Sequence, residues 1–125
     1  MKLAARPKRV LVVDDNEDAA ALVADIVSLA GHSATFATSG IEGLRIALAE
    51  RPDAIFIDIE MPGMDGFELA AKLRAEAPST WLIALTVWSD PETARRAVEC
   101  GFDEHLVKPA NVEDILRAVD SSPRA

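Results

Sequence analysis

The chain has 125 residues, 50% of them hydrophobic and 27% charged, a composition typical of one globular domain and not of a disordered or membrane protein. Its net charge of −8 argues against nucleic acid as a direct partner, because phosphate backbones are bound mainly through clustered Lys and Arg. A single cysteine, Cys100, excludes an internal disulfide and a multi-cysteine metal site. Since no apolar stretch approaches the roughly 20 residues of a membrane span and no signal-peptide core follows Met1, we expect a cytoplasmic protein.

Five apolar runs with strand character alternate with five segments of helical spacing. The runs cover residues 10–13, 33–37, 55–57, 81–85 and 106–107. The first, third and fourth are continuously apolar, as strands covered on both faces are, whereas 33–37 is mixed and is placed at a sheet edge. This alternation predicts a parallel sheet with helices on both faces. The predicted domain covers residues 8–120, with loose tails at 1–7 and 121–125.

The intervening segments carry helix signals at their ends. The helices are predicted to begin near Glu17, Ser39, Gly66, Asp90 and Asn111. Their inward faces are predicted to be Leu22, Ile26 and Leu29, then Ile41, Leu44 and Leu48, then Phe67, Leu69, Ala70 and Leu73, then Ala94, Ala97 and Val98, and finally Val112, Ile115, Leu116 and Val119. Because the inward residues of the fourth helix are small, we expect that helix to be the least firmly packed and the most mobile.

Polar residues follow the apolar runs: Asp14-Asp15 after the first, then Asp58, Thr86 and Lys108 after the last three. Taken alone, Asp14-Asp15 fits a polar turn equally well. The carboxyl ends of parallel strands share one edge, however, where open α/β sheets bind ligands. Two carboxylates about 4 Å apart repel by roughly 4 kcal/mol at an effective dielectric of 20, so three are best held together by a cation. Oxygen ligands without His or Cys indicate Mg²⁺.

The same residues predict phosphoryl chemistry. The hydroxyl of Thr86 and the ammonium of Lys108 can contact the oxygens of a phosphoryl group. With the charge shared by metal and lysine, the carboxylate of Asp58 can act as nucleophile and form an aspartyl phosphate.

The sequence resembles the receiver domain of response regulators in two-component signalling over about residues 8–120. The resemblance is carried, in order, by Val12-Val13-Asp14-Asp15-Asn16, Asp58-Ile59-Glu60-Met61-Pro62-Gly63-Met64-Asp65-Gly66, Thr86 and Lys108-Pro109. It implies a flavodoxin-like (βα)5 fold with strand order 2-1-3-4-5.

The resemblance also implies roles for the acidic residues. Asp58 matches the phosphoacceptor, Asp15 a direct Mg²⁺ ligand, and Asp14 an acid that acts through a metal-bound water. Glu60 matches the position whose backbone carbonyl completes the metal site. Asp58 itself is expected to contribute to metal binding as well.

Further roles implied by the resemblance concern the switch. Thr86 matches the hydroxyl that moves towards the phosphoryl group, and Lys108 the ammonium that pairs with it. The Lys108-Pro109 peptide bond resembles one that is cis in the family. Phosphorylation is then expected to shift the loop of residues 87–90 and the fourth helix, and so to change partner binding.

Three positions near the switch depart from the family pattern or have two readings. His105 stands where Tyr or Phe is more common, and is either a switch residue or a half-exposed histidine on a short strand. Val87 is larger than the Ala or Gly often found there, so we expect slow phosphorylation by small donors and slow hydrolysis. Trp88 is either a core residue or a partner anchor.

The expected partners are a histidine kinase or histidine phosphotransfer protein, and a downstream protein at the face of helix 4, strand 5 and helix 5. On that face, Arg95, Arg96 and Arg117 are either interface residues or simply solvated. We expect a monomer or weak dimer. The chain resembles both a free-standing receiver and one attached to a hybrid sensor kinase.

Two other functions remain open from the sequence. One is a receiver fold used for protein interaction without phosphorylation. The other is a haloacid-dehalogenase-like phosphatase, which would need Thr or Val after its second acid. Here Asp58-Ile59-Glu60 is followed by Met61-Pro62, and the chain has no room for a substrate-selecting cap domain.

Overall fold

The computed structural model describes residues 6–123, in which five strands alternate with five helices. The strands are β1 (Arg9–Val13), β2 (Ser33–Ala37), β3 (Ala54–Asp58), β4 (Trp81–Thr86) and β5 (Glu104–Val107). The helices are α1 (Glu17–Leu29), α2 (Gly40–Glu50), α3 (Gly66–Glu76), α4 (Pro91–Glu99) and α5 (Val112–Ser121). All strand pairs are parallel, in the order β2-β1-β3-β4-β5, which confirms the predicted fold.

The sheet separates two apolar cores. One is formed with α2, α3 and α4, and the other with α1 and α5. Strand β3 is buried along its whole length, whereas β2 lies at the edge and leaves Phe36 partly exposed. Because Asp58 is in register with Leu85 and Thr86 with Val107, the carboxyl ends of β3, β4 and β5 lie along one edge.

Each helix begins after a polar residue in extended conformation whose side chain accepts a backbone N–H bond three residues later. These residues are Asn16, Ser39, Asp65, Asp90 and Asn111. Such caps satisfy N–H groups that the helix itself leaves without partners. They hold each helix start close to the strand end that precedes it.

The predicted inward faces of α1 and α2 are wrong in their most hydrophobic members. Leu22 and Leu29 are 61% and 68% exposed, and Ile41 is 71% exposed. The buried residues are smaller: Ala20, Ala24 and Val27 in α1, and Gly40, Gly43 and Ala47 in α2. Small residues let the helix approach the sheet closely; a Cβ at Gly43, for instance, would lie 2.7 Å from Cγ2 of Val13.

The later helices agree better with the predicted faces. The four residues predicted for α3 are all buried, as are Ile115 and Val119 of α5. In α4, however, Ala97 is the one buried residue and Val98 is 72% exposed. In α5, Val112 is 43% exposed, because it lies in the first turn, beyond the edge of the core.

Ordered structure continues past Asp120, where the predicted domain ends. Ser121 is the last residue of α5 and Ser122 is buried. The ammonium of Lys8 donates hydrogen bonds to the carbonyls of Val119, Asp120 and Ser122 and to the Ser122 hydroxyl, satisfying acceptors that the helix end leaves free. Residues 121 and 122 are therefore packed and not a tail; residues 1–5 and 124–125 of the predicted tails lie outside the described part.

Candidate functional site

Three carboxylates meet at the carboxyl edge of the sheet. Asp14, Asp15 and Asp58 each offer an oxygen, and these oxygens lie within 4.8 Å of one another. Asp14 is 2% exposed and Asp58 is 5% exposed, whereas Asp15 faces solvent. The cluster is therefore buried at Asp14 and Asp58 and open to solvent at Asp15.

Backbone N–H groups fix the two buried carboxylates. The N–H of Asn16 donates to Oδ1 of Asp14 at 2.9 Å, and the N–H of Glu60 donates to Oδ1 of Asp58 at 3.2 Å. The Glu60 side chain itself is exposed. Each acid therefore accepts a hydrogen bond from the residue two positions later, which orients it towards the shared cluster.

Lys108 connects the two buried acids. Its Nζ lies 2.9 Å from Oδ2 of Asp14 and 3.4 Å from Oδ1 of Asp58. The backbone N–H of Lys108 donates to the carbonyl of Thr86 at 2.7 Å, and the Lys108–Pro109 peptide bond is cis. Burial lowers the pKa of the ammonium, but the two carboxylates outweigh burial and raise it above its ordinary value, so Lys108 stays charged.

Asp58 is the acid whose ionised form is most disfavoured. Burial, the largest cause, and the neighbouring Asp14 carboxylate raise the pKa of Asp58 to about 7, against the opposing effect of Lys108. One ammonium does not balance the charge of three acids. A site with this imbalance favours an additional cation.

The donor set fits Mg²⁺. The three residues of the cluster offer hard carboxylate oxygens, with no histidine or cysteine among them. The exposed side at Asp15 leaves room for the waters that magnesium retains. Asp15 and Asp58 are placed to offer oxygens to such an ion, with Asp14 beside them.

In the loop after Asp58, the backbone of Gly66 lies directly against the backbone of Asp58 and Ile59. The N–H of Gly66 donates to the carbonyl of Ile59 at 2.9 Å. A Cβ at Gly66 would lie 2.6 Å from both the Asp58 carbonyl oxygen and the Cα of Ile59. Only glycine allows α3 to begin directly against the strand end that carries Asp58.

The residues that the sequence predicts to form a switch lie near the carboxylate cluster. Thr86 is completely buried, and its Oγ1 accepts the N–H of Trp88 at 3.0 Å. Val87 and Trp88 are 57% and 55% exposed, so Trp88 is not a core residue. His105 is partly exposed, and its Nε2 lies 3.4 Å from the carbonyl oxygen of Trp88.

An apolar groove of about 380 Å³ adjoins the acids between α1 and the start of α5. Leu22 and Ile26 line it on one side and Pro109 and Ile115 on the other, and it reaches Asp14 and Lys108. Sequence reasoning missed this groove because Leu22 was assigned to the core. The spacing of Ala20, Ala24 and Val27 was the signal that another face is buried.

The sequence pattern of the response regulator receiver domain matches residues 10–120. The fold and the acidic cluster are those of this class, and the chain belongs to the response regulator receiver domain family. It is thus a signalling domain of a two-component system and not a conventional enzyme. Within residues 6–123, none of the helices has the length and apolar character needed to cross a membrane.

Several known proteins are similar to this chain. The transcriptional regulatory protein PrrA of Mycobacterium tuberculosis is 37% identical over 111 residues, which are 89% of this chain and 48% of PrrA. The sporulation initiation phosphotransferase F of Bacillus subtilis is 28% identical over 112 residues, covering 90% of each protein. The crystal structure of the Vibrio cholerae chemotaxis protein CheY4 superposes with a TM-score of 0.88 at 31% identity, over 94% of this chain and 100% of CheY4. The chain therefore spans about half the length of PrrA.

Proposed function

We propose that this domain accepts a phosphoryl group on Asp58 from the phosphohistidine of a histidine kinase or histidine phosphotransfer protein. The observation that carries the proposal is the clustering of Asp14, Asp15 and Asp58 around one open position, with Lys108 in contact with both buried acids. We place the reaction in the cytoplasm and the domain in a monomer or weak dimer.

The acidic residues divide the work of binding the metal. Asp15, Asp58 and the backbone carbonyl of Glu60 would hold Mg²⁺ directly, and Asp14 would act through a water. When bound, the ion supplies the positive charge that balances the carboxylates and the phosphoryl oxygens.

Asp58 is the nucleophile in this proposal. One of its oxygens attacks phosphorus, so that a P–O bond forms as the P–N bond to the donor histidine breaks. The histidine nitrogen leaves with the electron pair of that bond and takes up a proton. Lys108 is already 3.4 Å from Asp58 and can contact the transferred oxygens, while the exposed Val87 narrows access for small donors and for water.

The phosphoryl group would then bias the switch. Drawing the Thr86 hydroxyl towards the phosphoryl oxygens breaks its bond with the Trp88 N–H, and the loop of residues 87–90 loses an anchor. His105 borders the same loop through the Trp88 carbonyl. The expected result is altered binding of a downstream protein at the face of α4, β5 and α5.

The groove beside α1 suits the phosphodonor. A protein that delivers a phosphohistidine must cover the cluster, and the groove is continuous with it through Asp14 and Lys108. The exposed Leu22 and Leu29 extend the apolar surface along α1. A helix of the donor with an apolar stripe would complement this surface.

The proposal is tested with radiolabelled acetyl phosphate, or a phosphorylated histidine kinase, in the presence of Mg²⁺. We expect slow labelling of the wild type, loss of label when the metal is chelated, and no label in Asp58→Asn. Asp53→Asn, at the other end of β3, should label like the wild type. Label that survives in Asp58→Asn at the wild-type level would overturn the assignment.

Two further measurements distinguish the proposed function from its two rivals. An interaction module that needs no phosphorylation would show no Mg²⁺ binding at millimolar concentration, which quenching of Trp88 fluorescence measures. A haloacid-dehalogenase-like phosphatase would release phosphate from small phosphate esters with multiple turnovers. We expect magnesium binding and at most slow loss of the phosphoryl group from Asp58.

A further inference from the structure

Helix α4 is the least buried of the five helices, and its residue Arg96 contacts a side chain of helix α3. The guanidinium carbon of Arg96 lies 4.1 Å from the centroid of the Phe67 ring. Ala97 is the only buried residue within α4. Phe67, in the first turn of α3, is buried, with an exposed fraction of 8%. The cation–π contact therefore joins a loosely held helix to a firmly held ring.

Phe67 is directly coupled to the phosphoacceptor loop. It follows Gly66, whose backbone is packed against Asp58 and Ile59. Glu60 lies in the same loop and donates its N–H to Asp58. The backbone of Phe67 is thus one residue away from a close contact with the loop that carries the proposed metal and phosphoryl ligands.

We propose that Arg96 is a positioning residue that holds α4 in its resting place against Phe67, and that phosphorylation of Asp58 weakens this contact. The proposal rests on the phosphoacceptor function and adds a route from Asp58 to α4 through α3. It is separate from the route through Thr86 and Trp88, which reaches α4 from its N-terminal end. By linkage, any protein that pulls α4 away from Phe67 would favour the phosphorylated state.

The first test measures backbone hydrogen exchange of residues 91–99, with and without beryllofluoride and Mg²⁺ as a phosphoryl mimic. In the wild type, we expect the mimic to speed exchange in α4. Arg96→Met should raise exchange about two- to fivefold without the mimic, the size expected for loss of one exposed cation–π contact. In Arg96→Met, the mimic should then raise exchange by a smaller factor than in the wild type, because only the route through Thr86 and Trp88 remains.

Matched variants separate this contact from other effects of the charge. Arg95→Met removes the adjacent arginine, which pairs with Glu99 at 3.5 Å, and should behave like the wild type. Arg96→Lys keeps a cation near the ring and should restore much of the protection. Phe67→Leu keeps an apolar side chain and the α4 charges, and should reproduce Arg96→Met without an additive effect in the double variant.

The second readout is the affinity for beryllofluoride in the presence of Mg²⁺. If the contact favours the resting state, Arg96→Met should bind the mimic about two- to fivefold more tightly, whereas a purely structural role would leave affinity unchanged. Equal exchange and equal affinity in Arg96→Met and Arg95→Met would overturn the proposal while leaving the phosphoacceptor function intact. Failure of the wild type to bind the mimic would instead overturn the phosphoacceptor function and the coupling with it.

Discussion

At the scale of single residues, Asp58, the proposed phosphoacceptor, carries a cost to stability. Its carboxylate is buried beside Asp14, and its pKa is raised to about 7. In the metal-free protein, the folded state therefore binds more protons than the unfolded state between about pH 4 and 7, and Asp58 makes stability fall as the pH rises through that range. The ionised carboxylate of Asp58 therefore works against folding, and a bound cation would offset this cost.

Asp58→Asn should accordingly stabilise the metal-free protein. At pH 8, we expect the free energy of unfolding to rise by about 1 kcal/mol, because a buried charge is replaced by a neutral group of the same shape. Urea denaturation measures the change, and Asp25→Asn, on the exposed face of α1, should have almost no effect. With Mg²⁺ at ten times its Kd, the wild type should gain about 1.4 kcal/mol and the variant much less. A less stable metal-free variant would contradict the account.

His32 is a second residue whose ionisation affects stability. It directly precedes β2, near the amino ends of the strands, whereas Asp58 lies at a carboxyl end. It is 7% exposed, and its Nδ1 accepts the backbone N–H of Lys8 at 3.0 Å. Burial lowers the pKa of His32 and the Lys8 ammonium lowers it further, whereas Asp120 raises it. Protonation would place a donor against the Lys8 N–H and end that hydrogen bond.

The stability of the protein should therefore depend on His32 at mildly acidic pH. Because the folded pKa lies below the unfolded value, the unfolded state binds the proton more readily, and stability is lost as the pH falls below about 6.5. The opposite pH dependence of Asp58 is removed by working in Asp58→Asn. We expect the urea midpoint of Asp58→Asn to fall between pH 7.5 and 5.5 more than that of the double variant with His32→Asn, whose amide oxygen can still accept the N–H. Equal losses in both proteins would exclude His32 as the cause.

At the scale of elements, the start of α3 shows how helix preference and packing oppose each other. Alanine at Gly66 would favour the helix by about 1 kcal/mol on intrinsic preference. Its Cβ, however, would lie 2.6 Å from the Asp58 carbonyl oxygen. The backbone clash should win, because neither the strand end nor the helix start can move alone.

We therefore expect Gly66→Ala to lower the free energy of unfolding by about 2 kcal/mol, the usual range for overpacking. Mg²⁺ should also bind more weakly, because the loop that carries Asp58 and Glu60 is displaced. Thermal unfolding and magnesium titration measure the two effects. The control is Ala71→Gly, at an exposed position of α3, which should lose about 1 kcal/mol and keep its magnesium affinity. Stabilisation by Gly66→Ala would contradict the predicted clash and would show that the loop can move to accommodate the added Cβ.

The sequence predicted the elements and the acid cluster for physical reasons. Continuous apolar runs mark strands buried on both faces, and parallel strands bring Asp58, Thr86 and Lys108 to one edge whatever the helices do. The helix faces were harder, because hydrophobicity favoured Leu22 whereas close packing on the sheet required Ala20 and Ala24. Contacts between distant side chains follow only from the folded geometry.

Two such contacts were not predictable from spacing. Arg96 and Phe67 are 29 residues apart and meet only because α3 and α4 pack on the same face of the sheet. Lys8 is the first residue of the predicted domain and has no predicted role, yet it is 8% exposed and binds the end of α5. A charged residue next to a strand gives no signal of which carbonyl groups it will reach.

At the scale of the whole molecule, Lys8 holds the first strand to the last helix. Its ammonium has hydrogen-bonded acceptors in Val119, Asp120 and Ser122. Removing the ammonium would take the donor from the buried Ser122 carbonyl, which costs more than loss of an exposed charge, whereas the Val119 carbonyl would keep the N–H and hydroxyl of Ser122.

Lys8→Met should lower the free energy of unfolding by about 2 kcal/mol, because the methylene stem remains while the buried Ser122 carbonyl loses its charged donor. Lys72→Met, at an exposed position of α3, should change stability by less than about 0.5 kcal/mol. Chemical denaturation of both variants measures the difference. Phosphorylation of Asp58 should be unaffected in either, and a Lys8→Met variant as stable as Lys72→Met would contradict the role assigned to Lys8.

The contact between Lys8 and Ser122 also brings the two ends of the described fold together. This contact lies near the amino ends of the strands, whereas Asp58 lies at a carboxyl end. A short peptide could span this gap, so the chain could be joined there and reopened at an exposed loop at the same end of the strands, such as residues 78 and 79 between α3 and β4. Such a circular permutant would keep every residue of the acidic cluster in place. Sensor domains could then be inserted at either opening without crossing the surface that a phosphodonor must cover.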